Sequence, residues 1–126
     1  MRAVDTNVLV RLIARDDDEQ VAAAEAFVRK GAWVSHLVLA ETTWVLASAY
    51  DLDDGQIATA LDMLLNHADL SLQDPDVVSV ALDRYRKRPT LGFSDCLVLE
   101  IARKAGHIPL GTFDRSLSKL DGAERI

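Results

Sequence analysis

The stretch Arg2-Ala3-Val4-Asp5-Thr6-Asn7-Val8-Leu9-Val10-Arg11-Leu12-Ile13-Ala14 decides the fold. Its opening, Arg2–Asp5, reads as a short buried strand, and Thr6–Ala14 as the helix that follows. A strand feeding directly into a helix is the first half of a strand–helix–strand unit, so the rest of the chain is searched for the same alternation. It recurs. Asp16-Asp17-Asp18 predicts a loop and helix start, since acids favour the positive end of a helix. Val21–Lys30 carries that helix, with Gly31 as its stop.

Ala32–Ser35 reads as the second strand, and His36–Tyr50 as a strongly apolar helix ending in the turn Asp51-Leu52-Asp53-Asp54-Gly55. Gln56–His67 is a further helix and Leu70–Leu72 a third strand. Pro75 suits a helix start, where its missing N–H is not needed, so Asp74 is expected to cap Pro75–Arg88. Pro89-Thr90-Leu91-Gly92 breaks the pattern. Ser94–Ala105 is a helix stopped by Gly106, and Ile108–Gly111 a fourth strand. A short helix from Asp114 and an extended piece, Ala123–Ile126, follow. Strands alternating with helices imply the α/β class: a twisted parallel sheet flanked by helices on both faces, in a single domain covering 1–126.

Composition sets outer bounds. With 126 residues, 49% apolar and 27% charged, the chain is that of a folded domain and not a disordered segment. A chain of this size buries roughly two thirds of its unfolded surface. The uncharged stretches Ala32–Ala40 and Thr42–Tyr50 are too short to span a bilayer. Met1-Arg2 leads straight into Ala-Val-Asp-Thr-Asn, without the apolar core of a secretory leader. The lone Cys96 forms no internal disulfide, which fits a reducing cytoplasm, and a cytoplasmic location is expected. The net charge of −6 argues against coating nucleic acid by bulk electrostatics. One dense basic run stands out: Arg84, Arg86, Lys87 and Arg88. It reads as a solvated helix end or as a contact for phosphates, and the first is the simpler account.

The chemistry lies in the acids. Ligands of open α/β sheets bind outside the carboxyl ends of the strands. Asp5 ends the first strand, Asp114 follows the fourth, and Asp95 opens a helix. Taken singly, Asp5 and Asp114 are more simply helix caps, and Asp95 an acid favoured by its helix dipole. Glu41 is different. On a helix its neighbours are Leu37, Val38, Trp44 and Val45, so the pattern predicts a carboxylate on a buried face. No basic residue occurs between Trp33 and Arg84 to pair with it. An unpaired buried acid costs several kcal/mol, which points to a bound cation or a distant partner. Oxygen donors select hard cations such as Mg²⁺ or Mn²⁺. His36, His67 and His107 are scattered and Cys96 has no companion, so zinc spacing is absent. Trp33 and Trp44 are expected in the core, although Trp44 shares the Glu41 face.

Four motifs then fall in order. Val4-Asp5-Thr6-Asn7-Val8-Leu9-Val10-Arg11 resembles the opening of PIN domains, especially VapC-type toxins of toxin–antitoxin pairs. Ala40-Glu41-Thr42-Thr43-Trp44-Val45-Leu46 is similar to that family's second motif, Phe93-Ser94-Asp95-Cys96-Leu97 to its third, and Thr112-Phe113-Asp114-Arg115-Ser116-Leu117 to its fourth. The resemblance runs over nearly the whole chain. It implies a metal-dependent endoribonuclease: Asp5, Glu41, Asp95 and Asp114 as catalytic acids, with Asp5, Asp95 and Asp114 as ligands of Mg²⁺ or Mn²⁺. Asn7 and Thr112 would support the acids by hydrogen bonds, and Arg84, Arg86, Lys87 and Arg88 would meet RNA. A homodimer silenced by a VapB-like antitoxin is implied in the same way.

Two other α/β readings compete less well. An aspartyl-phosphatase opening needs a second acid where Asn7 stands. A phosphorylatable receiver module needs an acidic pair directly after the first strand, and Asp16-Asp17-Asp18 comes a helix too late. A PIN-like module that only binds, without nuclease activity, keeps the same fold, but all four acids remain.

Overall fold

The computed structural model describes residues 1–126. It contains five strands, six α-helices and two short 3-10 turns. The class is α/β with parallel strand pairing. The chain divides into two compact units, Met1–Pro75 and Asp76–Ile126. The expected parallel sheet is divided accordingly into a three-stranded ladder in the first and a two-stranded ladder in the second.

In the first unit β1 (Arg2–Ala3) is followed by α1 (Thr6–Ala14) and α2 (Asp18–Val28), then β2 (Ala32–Val34), α3 (His36–Ser48), α4 (Asp54–Leu65) and β3 (Leu70–Leu72). The sheet order is β1-β2-β3, with Arg2 beside Ala32 and Val34 beside Leu72. Helix starts are well specified. Asp17, Ser35 and Asp53 cap α2, α3 and α4 through their side-chain oxygens, and Asp53 forms a reciprocal capping box with Gln56. Ser35, expected inside the second strand, is therefore the cap of the helix behind it. Gly31 takes φ +89°, a conformation open to glycine at little cost, and turns the chain from α2 into β2. Leu9, Val10, Ala32, Val34, Leu39, Leu46, Leu61 and Leu64 are almost wholly buried.

The second unit holds α5 (Pro75–Lys87), α6 (Phe93–Ala105), β4 (Leu110–Thr112) and β5 (Ala123–Arg125). Strands β4 and β5 pair in parallel, Leu110 beside Ala123 and Thr112 beside Arg125. The fourth strand thus begins two residues later than the sequence pattern suggests. Tyr85 of α5 meets Phe93 of α6 edge-on, ring centroids 6.2 Å apart. The same helices share a buried carboxylate. Glu100 is 4% exposed and accepts from Arg84 Nε at 3.3 Å and from Arg103 Nε at 3.1 Å. Two cations on one acid offset its desolvation, and both arginine side chains keep about a third of their surface in water.

This triad predicts a specific loss. Glu100→Ala removes two charge-assisted bonds and is expected to lower unfolding stability by about 1.5–3 kcal/mol, since the freed arginines can turn toward solvent. Glu100→Met, which fills the same space, is expected to lose less. Urea denaturation of the three proteins measures both, and a Glu100→Ala loss below that of Glu100→Met contradicts the assignment.

Candidate active site

The first unit supplies two of the four acids from one edge of its sheet. Parallel pairing puts the carboxyl ends of β1 and β2 on the same side, and the chain leaves both ends directly into helices. Asp5 is the N-cap of α1, its Oδ1 accepting from the Val8 N–H at 3.4 Å. Glu41 lies in the second turn of α3. The hydroxyl of Thr6, next to Asp5, donates to Glu41 Oε2 at 2.9 Å and links the two motifs. Thr6 is the residue the sequence reading passed over. Its signal was its place between Asp5 and Asn7 at a helix start, where a short hydroxyl side chain reaches a neighbouring element.

The setting of Glu41 corrects the sequence expectation. Glu41 is exposed, as are Leu37 (68%) and Trp44 (70%) on either side of it, while Val38 and Val45 are half-buried. The buried face of α3 carries Leu39, Thr42, Thr43 and Leu46 instead. Thr42 and Thr43 donate to the Val38 and Ala40 carbonyls of their own helix, so no hydroxyl is left unpaired inside. An exposed Glu41 is solvated and needs no cation on grounds of burial. Trp44 is likewise not a core residue, and Trp33 is 39% exposed on β2.

The second unit supplies the other two acids. Asp114 follows β4 by two residues. Its Oδ1 accepts from the Leu117 N–H at 2.8 Å, and its own N–H donates to Thr112 Oγ1 at 3.0 Å, so Thr112 orients the backbone of the acid. Asp95 sits in the first turn of α6, behind Gly92, whose φ of +77° starts the helix without a side-chain cap. Asp95 is half-buried, and its carboxyl is held above the usual range, first by burial and then by the charge of Asp114. Neither acid has a basic ion-pair partner.

The remaining candidates are placed as follows. Asn7 is exposed and lines a hollow with Val8, Arg11, Gln20 and Phe27. Arg84 is bound to Glu100, and Lys87 pairs with Asp83 at 3.0 Å on its own helix. Arg86 and Arg88 are exposed. His67 accepts through Nδ1 from the Asp69 N–H, a local turn bond, and Cys96 is buried with its thiol pushed up to about 11 by burial first. No three His, Cys, Asp or Glu side chains form a preassembled metal cage. Within the second unit the donor chemistry nevertheless suits a hard cation: Asp95 and Asp114 offer oxygen, and the charge of Asp114 acts on Asp95 without a positive partner.

A PIN-domain family model matches residues 2–123. The chain belongs to the PIN-domain family. No curated protein and no solved structure matches it. PIN domains are generally nucleases and typically use Mg²⁺. In this PIN chain no helix is long and apolar enough to cross a membrane.

The state of Asp95 fixes the sign of a pH effect. Its folded carboxyl holds its proton more tightly than the unfolded one, so the native state binds more protons just above the ordinary aspartate range, near pH 4. Metal-free stability is therefore expected to fall as pH rises through that window. Asp95→Asn removes this dependence and is expected to raise the melting temperature at neutral pH in chelator. Asp114→Asn keeps the bond from Leu117 and is expected to reduce the effect only partly, because burial is the larger cause. Melting curves from pH 3 to 7 in chelator decide it. An unchanged pH profile in Asp95→Asn contradicts the assignment.

Proposed function

We propose that the chain is a divalent-metal-dependent endoribonuclease, the toxin of a VapBC-type pair, with its two units acting as one PIN domain. The family match spans both units and supports the last point. The observation that carries the nuclease reading is the PIN-family match over residues 2–123, and the Asp95–Asp114 pair, like charges with no basic partner, is in keeping with it. Such a pair is disfavoured unless a cation neutralises it.

In this reading Asp5, Asp95 and Asp114 hold the cation, Mg²⁺ or Mn²⁺. When bound, it supplies charge neutralisation at the phosphodiester oxygens and a more acidic attacking water. Asp5 and Asp114 are suited to the task because each anchors one carboxylate oxygen on a helical or turn N–H and leaves the other available. Glu41 is exposed and oriented by Thr6, which equips it to align the attacking water and take its proton. Thr112 holds Asp114 in place. Asn7 is assigned a supporting role at the first motif. Arg84, Arg86, Lys87 and Arg88 are assigned to RNA phosphates, and of these Arg84 and Lys87 also pair with Glu100 and Asp83. The homodimer and a VapB-like antitoxin complete the proposal and rest on the resemblance of the four motifs.

The purified protein is expected to cut RNA with Mg²⁺ or Mn²⁺ and to stop in excess chelator. Glu41→Gln is expected to lower kcat by about 10²–10⁴-fold, the usual reach of a positioned base. Thr6→Val is expected to lower it by about 10–100-fold, as loss of a supporting hydrogen bond does at metal sites. Activity that survives chelation, or full activity in Glu41→Gln, overturns the reading.

Salt dependence tests the basic run. Replacing Arg86 and Arg88 with Gln is expected to flatten the slope of log affinity against log salt by about 0.7 per lost contact on single strands. An unchanged slope returns the run to a solvated helix end.

A further inference from the structure

Among the three Phe, two Trp and two Tyr of the chain, two side chains are more than half exposed: Trp44 at 70% and Phe113 at 79%. Both stand beside an acid of the four motifs. Trp44 is one helical turn after Glu41 on the same exposed face of α3, with Leu37 one turn before it. Phe113 lies between Thr112, which fixes the Asp114 backbone, and Asp114 itself. Single exposed hydrophobics are ordinary on a protein surface. The coincidence of both open aromatics with motif acids is not explained that way, because every other aromatic ring is at least half covered.

We propose that Trp44 and Phe113 are positioning residues on which unpaired nucleobases of the RNA stack, each holding a nucleotide beside its neighbouring acid. This rests on the nuclease reading above. The chemistry of the patch favours a base over a protein surface. Glu41 sits in the middle of the Leu37–Trp44 face, and its carboxylate is bound by one hydroxyl only. Packing a second apolar surface over it would strip water from a charge that has no cation partner, which is costly. A stacked base covers the indole ring and leaves the carboxylate open to water. Stacking also suits a cutter of flexible RNA, since every base has a π-face and no hydrogen-bond code is required. Trp44 and Phe113 each act within their own unit, so each is tested alone.

The test uses the full chain carrying Asp95→Asn to suppress cleavage, with Mg²⁺ and a labelled single-stranded RNA of ten nucleotides. A matching strand with abasic sites keeps the phosphates and removes the rings. Trp44→Ala, Trp44→Leu and Phe113→Ala are each expected to weaken binding of the intact strand about tenfold, within the span of one stacked base. Trp44→Phe is expected to retain most of it. None should alter affinity for the abasic strand, and melting temperatures should stay close to the parent because both rings are exposed. In the cleaving background the same changes are expected to raise KM more than they lower kcat. Unchanged affinity for intact RNA, equal losses on abasic and intact strands, or retention by Trp44→Leu overturns the proposal. Dissociation of a dimer by Trp44→Ala, with RNA affinity intact, assigns the patch to a second copy and overturns it as well. Failure of the wild type to cut any RNA with Mg²⁺ removes the nuclease reading itself. That outcome is distinct from a wild type that cuts while its aromatic variants bind normally.

Discussion

Parallel pairing of very short strands is the constraint on which the rest depends. β1 pairs over two residues and β2, β3, β4 and β5 over three, so no ladder holds many hydrogen bonds. Parallel strands cannot be joined by a tight hairpin, and the chain must return through helices, which here make up most of its length. Stability consequently falls on helix packing and on sharp, well-capped helix starts. It also means that each strand delivers its last residue to the same edge of its sheet. Asp5 after β1, the start of α3 after β2, and Asp114 after β4 all follow from that geometry within their own units.

The helix-rich part of this design was legible in sequence because its signals are local. Thr6–Ala14 and Leu70–Leu72 have the boundaries the pattern predicts, and Gly106 ends α6 at φ +84°. Strand ends were less legible. Ser35 fits the second strand by pattern because a short polar residue after an apolar run suits either a strand end or a cap, and only the following N–H donors decide it. The pattern starts the fourth strand early for a related reason: Ile108 is apolar enough for a strand, yet it is exposed and precedes Pro109, which has no N–H for a ladder. The motif acids were visible as residues, whereas the hydroxyl of Thr6 reaching Glu41 across 35 positions was not, because it requires the packing of α1 on α3.

Helix α3 shows why the burial expected of Glu41 does not follow from its apolar neighbours. Its sequence is apolar on nearly every side, so periodicity cannot tell which face meets the core. The core took the face with Thr42 and Thr43, whose hydroxyls bond back to their own helix and so enter as small, satisfied side chains. The face with Leu37, Glu41 and Trp44 was left to solvent. An exposed tryptophan beside an exposed acid has a different physical meaning from a buried acid. The acid needs no compensating cation to be stable, and the ring becomes the feature that needs an account.

The acids also differ in how they are held, and that difference separates two roles that at first exclude each other. A capping aspartate uses one oxygen for a backbone N–H, as Asp5 does for Val8 and Asp114 for Leu117. The second oxygen remains free, so a cap can serve as a ligand without giving up its structural bond. The cap even favours the task, because it orients the carboxylate before any cation arrives. Asp95 has no such bond. It enters the first turn of a helix that lacks a side-chain cap, partly buried and facing the charge of Asp114, and its raised carboxyl pKa records that strain. Within the second unit the two acids therefore differ in physical terms: Asp114 is directed by its cap bond, and Asp95, half-buried beside a like charge, is the one that a positive charge would relieve most.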